Sequence, residues 1–267
     1  MAARTHTGLD AIAAMFERAS AAGHAAFLPY YPIGYPTYDD SLAAIGGMAA
    51  AGVDGFEIGI PFSDPLADGP TIQAAAQMAL DNGITPADCL RAVRELRARG
   101  VQQPMLLMGY LNPLLAYGPE RFVQDARAAG ADGLIVPDMP PDEADALLRL
   151  CREAGLALVF LLAPNSSDER IALVAAKASG FIYLVSVTGI TGARTELPPG
   201  AADFVARVRA RTGQKLVMGF GISTPEQARM MGALTDGFIV GSALVRAGRG
   251  GPAAAVDLAR RLLTALG

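Results

Sequence analysis

The chain has 267 residues, of which 52% are hydrophobic and 18% charged, so it can bury the core of one large domain or of two small ones. Its formal net charge of −4 gives no basic excess, which argues against a protein that binds the phosphate backbone of a nucleic acid. The sequence contains neither an apolar run of the ~18 residues that a membrane span needs nor a visible signal peptide, so we expect a cytoplasmic protein.

Short apolar runs alternate along the chain with stretches of helical period, and glycines mark many of the changes. We expect residues 1–8 to be a flexible tail, and an apolar stripe after them indicates an extra helix before the first strand. The predicted strands are Ala25–Ile33, Gly55–Ile60, Met105–Tyr110, Gly133–Val136, Ala157–Leu162, Phe181–Ser186, Lys215–Phe220 and Gly237–Val240. The predicted helices between and after them are Ser41–Ala51, Thr71–Leu80, Pro86–Arg99, Pro119–Ala129, Asp142–Ala154, Ser167–Ser179, Ala201–Arg211, Pro225–Ala233 and Ala253–Leu266.

This alternation of strands and helices predicts parallel strand pairing. Eight such units in about 250 residues match a closed (β/α)8 barrel, the TIM barrel, here with an extra N-terminal helix. The alternative is an open, doubly wound sheet, which the count of eight and the lack of a Gly-x-Gly-x-x-Gly turn after the first strand disfavour. No linker divides the chain, so we expect a single barrel domain over residues 1–267.

Glu57 is a carboxylate inside the otherwise apolar second strand, where an ionised group is costly unless something nearby uses it. The bland alternative is a structural ion pair with a cation from a helix or a loop. Among the predicted strands the only cation is Lys215, at the end of the barrel opposite an active site. Without a cation, burial raises the pKa of Glu57, and such a carboxyl group can donate and accept protons near neutral pH. We therefore predict a catalytic role.

Two more carboxylates, Asp64 and Asp68, lie in the loop after this strand. Asp68 stands just before Gly69-Pro70-Thr71, a typical helix start, so helix capping and function are equally good interpretations of Asp68 alone. A carboxylate in a loop over the mouth of a barrel can face a carboxylate on the barrel wall. Considered together with Glu57, Asp68 is therefore better explained by function than by capping. The connection after the sixth strand, Val187–Gly200, is also long, and we predict that it is a mobile lid over the substrate.

Glycine-rich turns follow the seventh and eighth strands, at Gly219–Ser223 and Gly241–Ala243. Backbone amides there, with a helix N-terminus behind Ser242, suit an anion, and phosphate-binding barrels place their site at these two strand ends. Plain turn glycines are the alternative. This anion site could also include the backbone amides of Thr191 and Gly192 in the predicted lid and the cationic side chains of Arg194 and Arg246.

Aromatic and apolar residues also gather near the predicted strand ends. Such residues are more often core than ligand contacts, but they could wall a flat apolar pocket; they are Tyr30, Met108, Tyr110, Tyr183 and Phe220. Apolar residues in the loops either cover the pocket or form a surface for a protein partner; they lie in Pro65-Leu66, Leu111–Leu115 and Pro137–Pro141. No spacing of His, Cys and carboxylates indicates a metal site.

With these motifs in place, the chain closely resembles the alpha subunit of tryptophan synthase over nearly its whole length. The segment Phe62–Gln73, which reads FSDPLADGPTIQ, is highly specific, and Gly219–Ser223 and Gly241-Ser242 agree with the phosphate site of that family. The resemblance implies a lyase that cleaves indole-3-glycerol phosphate, in a retro-aldol reaction, to indole and glyceraldehyde 3-phosphate in tryptophan biosynthesis.

The resemblance also implies roles for individual residues. Glu57 would protonate indole C3 and take the proton of the glycerol hydroxyl, and Asp68 would stabilise positive charge at the indole N–H. Thr191 would order Asp68. Tyr30 matches an indole-pocket position that is often Phe, which leaves the size preference open. Tyr183 matches a tyrosine beside the two acids, and the matched phosphate contacts are Gly192, Gly221, Gly241 and Ser242. As residues that could wall the pocket, Tyr110 and Phe220 are also predicted to contact the substrate.

The family partner is a pyridoxal-phosphate beta subunit, joined in an alpha2beta2 assembly that receives indole through a tunnel. The cofactor would sit on that partner, and no cofactor or metal is expected on this chain. Docking residues implied by the resemblance are Asp64, Pro65, Asn112 and Pro137–Pro140. Three alternatives stay open: a different phosphate-binding barrel enzyme, a stand-alone indole-releasing lyase, and an activating subunit with little chemistry of its own.

Overall fold

The computed structural model describes residues 7–185, 200–219 and 221–266, which form eight strands and twelve helices. The strands are β1 (Ala26–Pro32), β2 (Phe56–Gly59), β3 (Met105–Met108), β4 (Gly133–Ile135), β5 (Ala157–Leu162), β6 (Ile182–Val185), β7 (Leu216–Gly219) and β8 (Gly237–Val240). The helices are α1 (Gly8–Ala21), α2 (Tyr38–Ala51), α3 (Pro70–Asp81), α4 (Pro86–Ala98), α5 (Leu111–Tyr117), α6 (Pro119–Ala129), α7 (Asp145–Ala154), α8 (Asp168–Lys177), α9 (Ala201–Arg209), α10 (Pro225–Gly232), α11 (Ser242–Gly248) and α12 (Pro252–Thr264).

The strands pair in chain order, all in parallel, and β8 closes the sheet against β1. This confirms the predicted (β/α)8 barrel with an extra N-terminal helix. In the register, Tyr30 of β1 stands opposite Glu57 of β2, and Glu57 stands opposite Leu106 of β3. Since the strands are parallel, their carboxyl ends meet at one rim, where the strand-to-helix loops gather.

The helices pack one apolar side on the barrel, as their periodicity predicts. In α4 the stripe Leu90, Val93 and Leu96 is buried, and Thr85 begins the helix with a capping box. The repeated Ala-Gly-x-Asp-Gly joints place Gly52 and Gly130 at helix C-caps with φ of 98° and 95°, the left-handed conformation that glycine adopts without strain.

Some predicted boundaries were wrong. Leu111–Leu115, predicted as a loop, begins α5, which buries Leu114 and has Gly118, with φ 94°, as its C-cap. The helix predicted from Asp142 starts three residues later, because 140–143 form a turn closed by the Glu143 N–H and the Pro140 carbonyl. Residues 7 and 8 do not belong to a tail: Thr7 is the N-cap of α1, and Gly8, the first residue of that helix, donates its N–H to the Gly155 carbonyl.

A buried ion pair ties the opposite end of the barrel together. Arg97 of α4 contacts Asp132, the residue before β4, at 2.5 Å, with the side chains 6% and 1% exposed. The guanidinium also donates to the carbonyls of Gly130, Val101 and Gln103, and Asp132 accepts the N–H of Met105, the first residue of β3. This network joins one helix to the starts of two strands, far along the barrel from the loop rim.

Candidate active site

Glu57 lies on β2 and is 2% exposed. Burial, reinforced by the negative charge of Asp68, raises the pKa of Glu57 to about 8, and a hydrogen bond with Tyr183 offsets only part of that rise. No salt bridge to Glu57 forms among the residues that the structure describes, so the expected buried and unpaired carboxyl group is present. At neutral pH the side chain is largely protonated and can act as an acid.

Asp68 lies in the loop between β2 and α3, and burial raises its pKa to about 6. The N-cap of α3 is Gly69, with no side-chain capping bond, so the capping interpretation of Asp68 is wrong. The Asp68 carboxylate instead accepts a hydrogen bond of 2.9 Å from the Tyr110 hydroxyl, which holds the pKa below the value that burial alone would give. The two acids therefore titrate on opposite sides of neutrality.

Two tyrosines stand close to these acids because glycines make room for them. A Cβ atom on Gly59 would lie 2.4 Å from the Tyr30 hydroxyl, and one on Gly219 would lie 2.3 Å from the Tyr183 hydroxyl. Both glycines end their strands, β2 and β7. Burial raises the pKa of each tyrosine well above its usual value, with Glu57 and Asp68 adding to the rise, so both hydroxyls keep their protons.

A cavity of about 260 Å³ opens at this rim and contains both acids. One part of its wall is apolar and belongs to Met108, Val185, Ile222, Ile239 and the ring of Tyr30. The two carboxyl groups and the Tyr183 hydroxyl lie within the same wall. The cavity thus combines apolar side chains with proton donors and acceptors.

The glycine turns after β7 and β8 line the same cavity. They contribute Gly221, Gly241 and Ser242, three of the predicted phosphate contacts, and α11 starts at Ser242 without a side-chain cap. Arg246, for which the sequence analysis found no definite role, lies on the cavity wall four residues further along. The amide of Ser223 is bonded to the Gln227 side chain instead.

Three predicted contacts, Thr191, Gly192 and Phe220, lie outside the described residues, as do Arg194 and all of the predicted lid except Gly200. Tyr110 stands behind Asp68 and is not among the residues that line the cavity; its contact with substrate stays a prediction. The predicted docking residues lie on the rim near β2, β3 and β4. Near them, the Leu111 N–H at the start of α5 donates to Asp138 in the loop after β4 at 2.8 Å.

Sequence reasoning missed the two tyrosine–glycine contacts and the bond between Tyr110 and Asp68. A glycine inside a strand often marks a close approach by another group, so Gly59 carried a usable signal. The Tyr110–Asp68 bond joins residues 42 positions apart and had no local signal. No group of three or more His, Cys, Asp or Glu side chains in the described ranges is placed to hold a metal ion. No helix in these ranges combines the length and hydropathy needed to cross a membrane.

The chain and its fold have close counterparts among known proteins. The sequence profile of the family "Tryptophan synthase alpha chain" matches residues 16–261. The chain is 50% identical over 259 residues to the tryptophan synthase alpha chain of Roseiflexus sp. (strain RS-1), a match that covers 95% of this chain and 99% of the relative. A tryptophan synthase structure from Mycobacterium tuberculosis superposes with a TM-score of 0.90 at 38% identity, over 96% of this chain and 97% of the other.

A crystal structure of the alpha chain from Legionella pneumophila superposes with a TM-score of 0.87 at 34% identity, over 96% of this chain and 97% of the other. These matches extend along nearly the whole barrel. The chain belongs to the tryptophan synthase alpha chain family.

Proposed function

We propose that Glu57 and Asp68 are the acid/base pair with which this chain cleaves indole-3-glycerol phosphate. As a family member the chain is a carbon–carbon lyase subunit of tryptophan biosynthesis. The observation that carries the residue assignment is that two carboxyl groups share one cavity with pKa values of about 8 and about 6. Near neutral pH one of them is an acid and the other an anion, and the reaction needs one of each.

The reaction needs a proton at indole C3, and protonated Glu57 delivers it. The ring then carries a positive charge shared with N1, and ionised Asp68 stabilises that charge at the N–H. Glu57, now a carboxylate, takes the proton of the hydroxyl on the carbon attached to C3. The bond between that carbon and C3 breaks, its electron pair restores the aromatic ring, and the products are indole and the aldehyde. Glu57 ends protonated, as it began.

The phosphate end of the substrate would bind opposite the acids. Gly221, Gly241 and Ser242 offer backbone groups at the ends of β7 and β8, and the Arg246 guanidinium adds a positive charge nearby. The indole ring would lie along the apolar wall between Tyr30 and Met108. By resemblance, Gly192 would add a phosphate contact and Thr191 would order Asp68, and Phe220 would add to the wall of the pocket.

The family implies a beta-subunit partner, and we propose an alpha2beta2 assembly in which pyridoxal phosphate sits on that partner. The docking surface would comprise Asp64, Pro65, Asn112 and Pro137–Pro140, with 93%-exposed Leu66 among them. We propose that the chain is a single barrel domain that works in the cytoplasm.

One assay tests these assignments. The purified chain is mixed with indole-3-glycerol phosphate, and indole release is followed with and without an added beta subunit of the family. Indole release that requires Glu57 and Asp68 and that rises with the partner is the expected result. Release that does not change with the partner would favour a stand-alone lyase. No release under either condition would favour a different reaction or an activating subunit.

A further inference from the structure

The side chain of Tyr30 crosses from β1 to the end of β2. A Cβ atom added to Gly59 would lie 2.4 Å from its hydroxyl oxygen, 2.7 Å from Cζ and 2.9 Å from Cε2. Gly59 follows Glu57 by two positions, so the two residues face the same side of β2. The Tyr30 hydroxyl therefore fills the place where a side chain on Gly59 would stand, one step beyond Glu57 toward the rim.

The described hydrogen bonds to the two acids come from other tyrosines. Glu57 interacts with the hydroxyl of Tyr183, and Asp68 accepts the hydroxyl of Tyr110. Tyr30 is 7% exposed, and that remaining surface belongs to the cavity wall. Its hydroxyl thus shapes the cavity next to both acids and is not required to hold either of them.

The position of the indole ring of the substrate in the cavity follows from the proposed function. Proton transfer at C3 and charge stabilisation at N1 require the indole ring to lie against both Glu57 and Asp68. The phosphate is bound at the ends of β7 and β8, so the substrate cannot slide away from the wall that Tyr30 forms. The benzo part of the ring then lies along the apolar wall to which Tyr30 belongs.

Resting on that proposed function, we propose that Tyr30, seated on Gly59, determines specificity: its hydroxyl closes the ring end of the cavity and excludes substituents on the benzo ring. The hydroxyl and a methyl group are similar in size. Exchange of Tyr30 for Phe opens a space of that size next to the ring while the aromatic wall remains. A methyl-substituted ligand fits this space in the variant and collides with the hydroxyl in the parent protein.

The test uses a non-cleavable probe, 3-(indol-3-yl)propyl phosphate, and its 4-, 5-, 6- and 7-methyl derivatives. Calorimetry gives the Kd of each for the full chain, for Tyr30→Phe and for Tyr31→Phe. Tyr31 is the matched control because it is the next residue of β1 and its hydroxyl lies against Gly248 of α11, outside the cavity. In Tyr30→Phe we expect at least one methyl derivative to gain about tenfold relative to the unsubstituted probe, the usual effect of one methyl group in a tight pocket.

For each methyl derivative, the ratio of its Kd to the Kd of the unsubstituted probe should stay within about twofold of the parent value in Tyr31→Phe. Three results would overturn the inference. The Kd ratios could be the same in Tyr30→Phe as in the parent protein, the parent could bind all four derivatives with the affinity of the unsubstituted probe, or the parent could bind none of the five ligands. Cleavage of indole-3-glycerol phosphate is measured separately. A chain that cleaves it but shows unchanged ratios refutes only the role of Tyr30, and a chain that shows the expected ratios without cleavage refutes only the proposed reaction.

Discussion

The hydroxyl of Tyr110 donates to Asp68 at 2.9 Å and accepts the backbone N–H of Ala67 at 3.0 Å. Tyr110 follows β3, whereas the other two residues belong to the loop after β2. The ring of Phe62, at the start of that loop, packs on the Tyr110 ring with 5.3 Å between centroids. One tyrosine thus fixes both ends of the loop and holds the carboxylate of Asp68 at the cavity.

Tyr110→Phe tests this positioning role. Loss of the donated hydrogen bond should raise the pKa of Asp68 further, so that less of it is ionised at neutral pH. We expect kcat/KM for cleavage of indole-3-glycerol phosphate to fall about tenfold and its acidic limb to move to higher pH. Tyr117→Phe is the control, because that hydroxyl bonds to Asp125 on the outer helices. An acidic limb that stays in place would leave Tyr110 with a purely structural role.

The two raised pKa values also predict the pH dependence of the parent protein. Asp68 must be ionised and Glu57 protonated in the free enzyme, so kcat/KM should rise through about pH 6 and fall through about pH 8. Since each group affects the other, the apparent values belong to the pair. Initial rates of indole release between pH 5 and pH 9 give the profile, and a flat profile across this range would contradict the assignment of roles.

Glu57→Gln should separate binding from chemistry. Glutamine is nearly isosteric with glutamic acid but carries no proton that it can transfer, so cleavage should be abolished. The phosphate contacts at β7 and β8 are untouched, and the Kd for indolylpropyl phosphate should change less than about threefold, well under the tenfold that corresponds to ~1.4 kcal/mol. Single-turnover indole release and calorimetry measure the two quantities, and near-normal turnover would refute the assignment.

The same variant should differ from the parent protein in stability. The pKa of Glu57 is higher in the folded chain than its ordinary value of 4.5, so its contribution to stability is complete below pH 4.5 and is lost as pH rises to about 8. Glutamine does not titrate. The free energy of unfolding of Glu57→Gln, relative to the parent, should therefore increase between pH 5 and pH 8.5 by about 2–4 kcal/mol, at ~1.4 kcal/mol per pKa unit.

Urea titrations at both pH values measure this difference. Glu17→Gln, on the exposed side of α1, controls for the loss of one carboxylate. If the difference in unfolding free energy between Glu57→Gln and the parent is the same at both pH values, the pKa of Glu57 is not raised in the folded chain.

The fold could be read from the sequence because its signals are local. The stripe in α4 and the glycine joints at Gly52 and Gly130 each depend on neighbouring residues only, and the structure has them where they were predicted. One exception is α5, which is seven residues long and contains Pro113, so it offered neither a full helical period nor a clear start.

The site was readable only in part. A carboxylate inside an apolar strand is conspicuous in sequence, and burial alone predicts the raised pKa of Glu57. The link between Tyr110 and Asp68, and the approach of Tyr30 to Gly59, depend on how the loop after β2 and the strands β1 and β2 meet in space. Such contacts follow from the packing of a closed barrel and have no pattern along the chain.

The buried ion pair between Arg97 and Asp132 should contribute to the stability of the fold and not to catalysis. Asp132→Asn removes the negative charge that contacts the buried Arg97 guanidinium, and breaking such a buried pair costs about 3–5 kcal/mol of unfolding free energy. The control is Asp142→Asn, whose partner Arg170 and own side chain are 40% and 57% exposed, and which should cost less than about 1 kcal/mol. Urea unfolding measures both, and equal costs would show that the buried network is as weak as a surface pair.

Leu66 gives the proposed docking surface its sharpest test. It is the most exposed large apolar side chain among the described residues, at 93%, and lies between Pro65 and Ala67 on the loop that carries Asp68. When a partner covers an exposed apolar side chain among the docking residues, burial of its surface stabilises the complex. Leu66→Ser should therefore weaken binding of the beta subunit about tenfold or more, as loss of a central interface contact does.

Calorimetric titration of each variant with a beta subunit of the family gives the Kd. Met78→Ser is the matched control, since Met78 is also an exposed apolar residue, at 41%, but lies on α3 away from the proposed docking residues. Its affinity for the partner should match that of the parent chain. If both variants bind as the parent does, the partner does not cover the loop after β2, and the docking surface must lie on another part of the barrel.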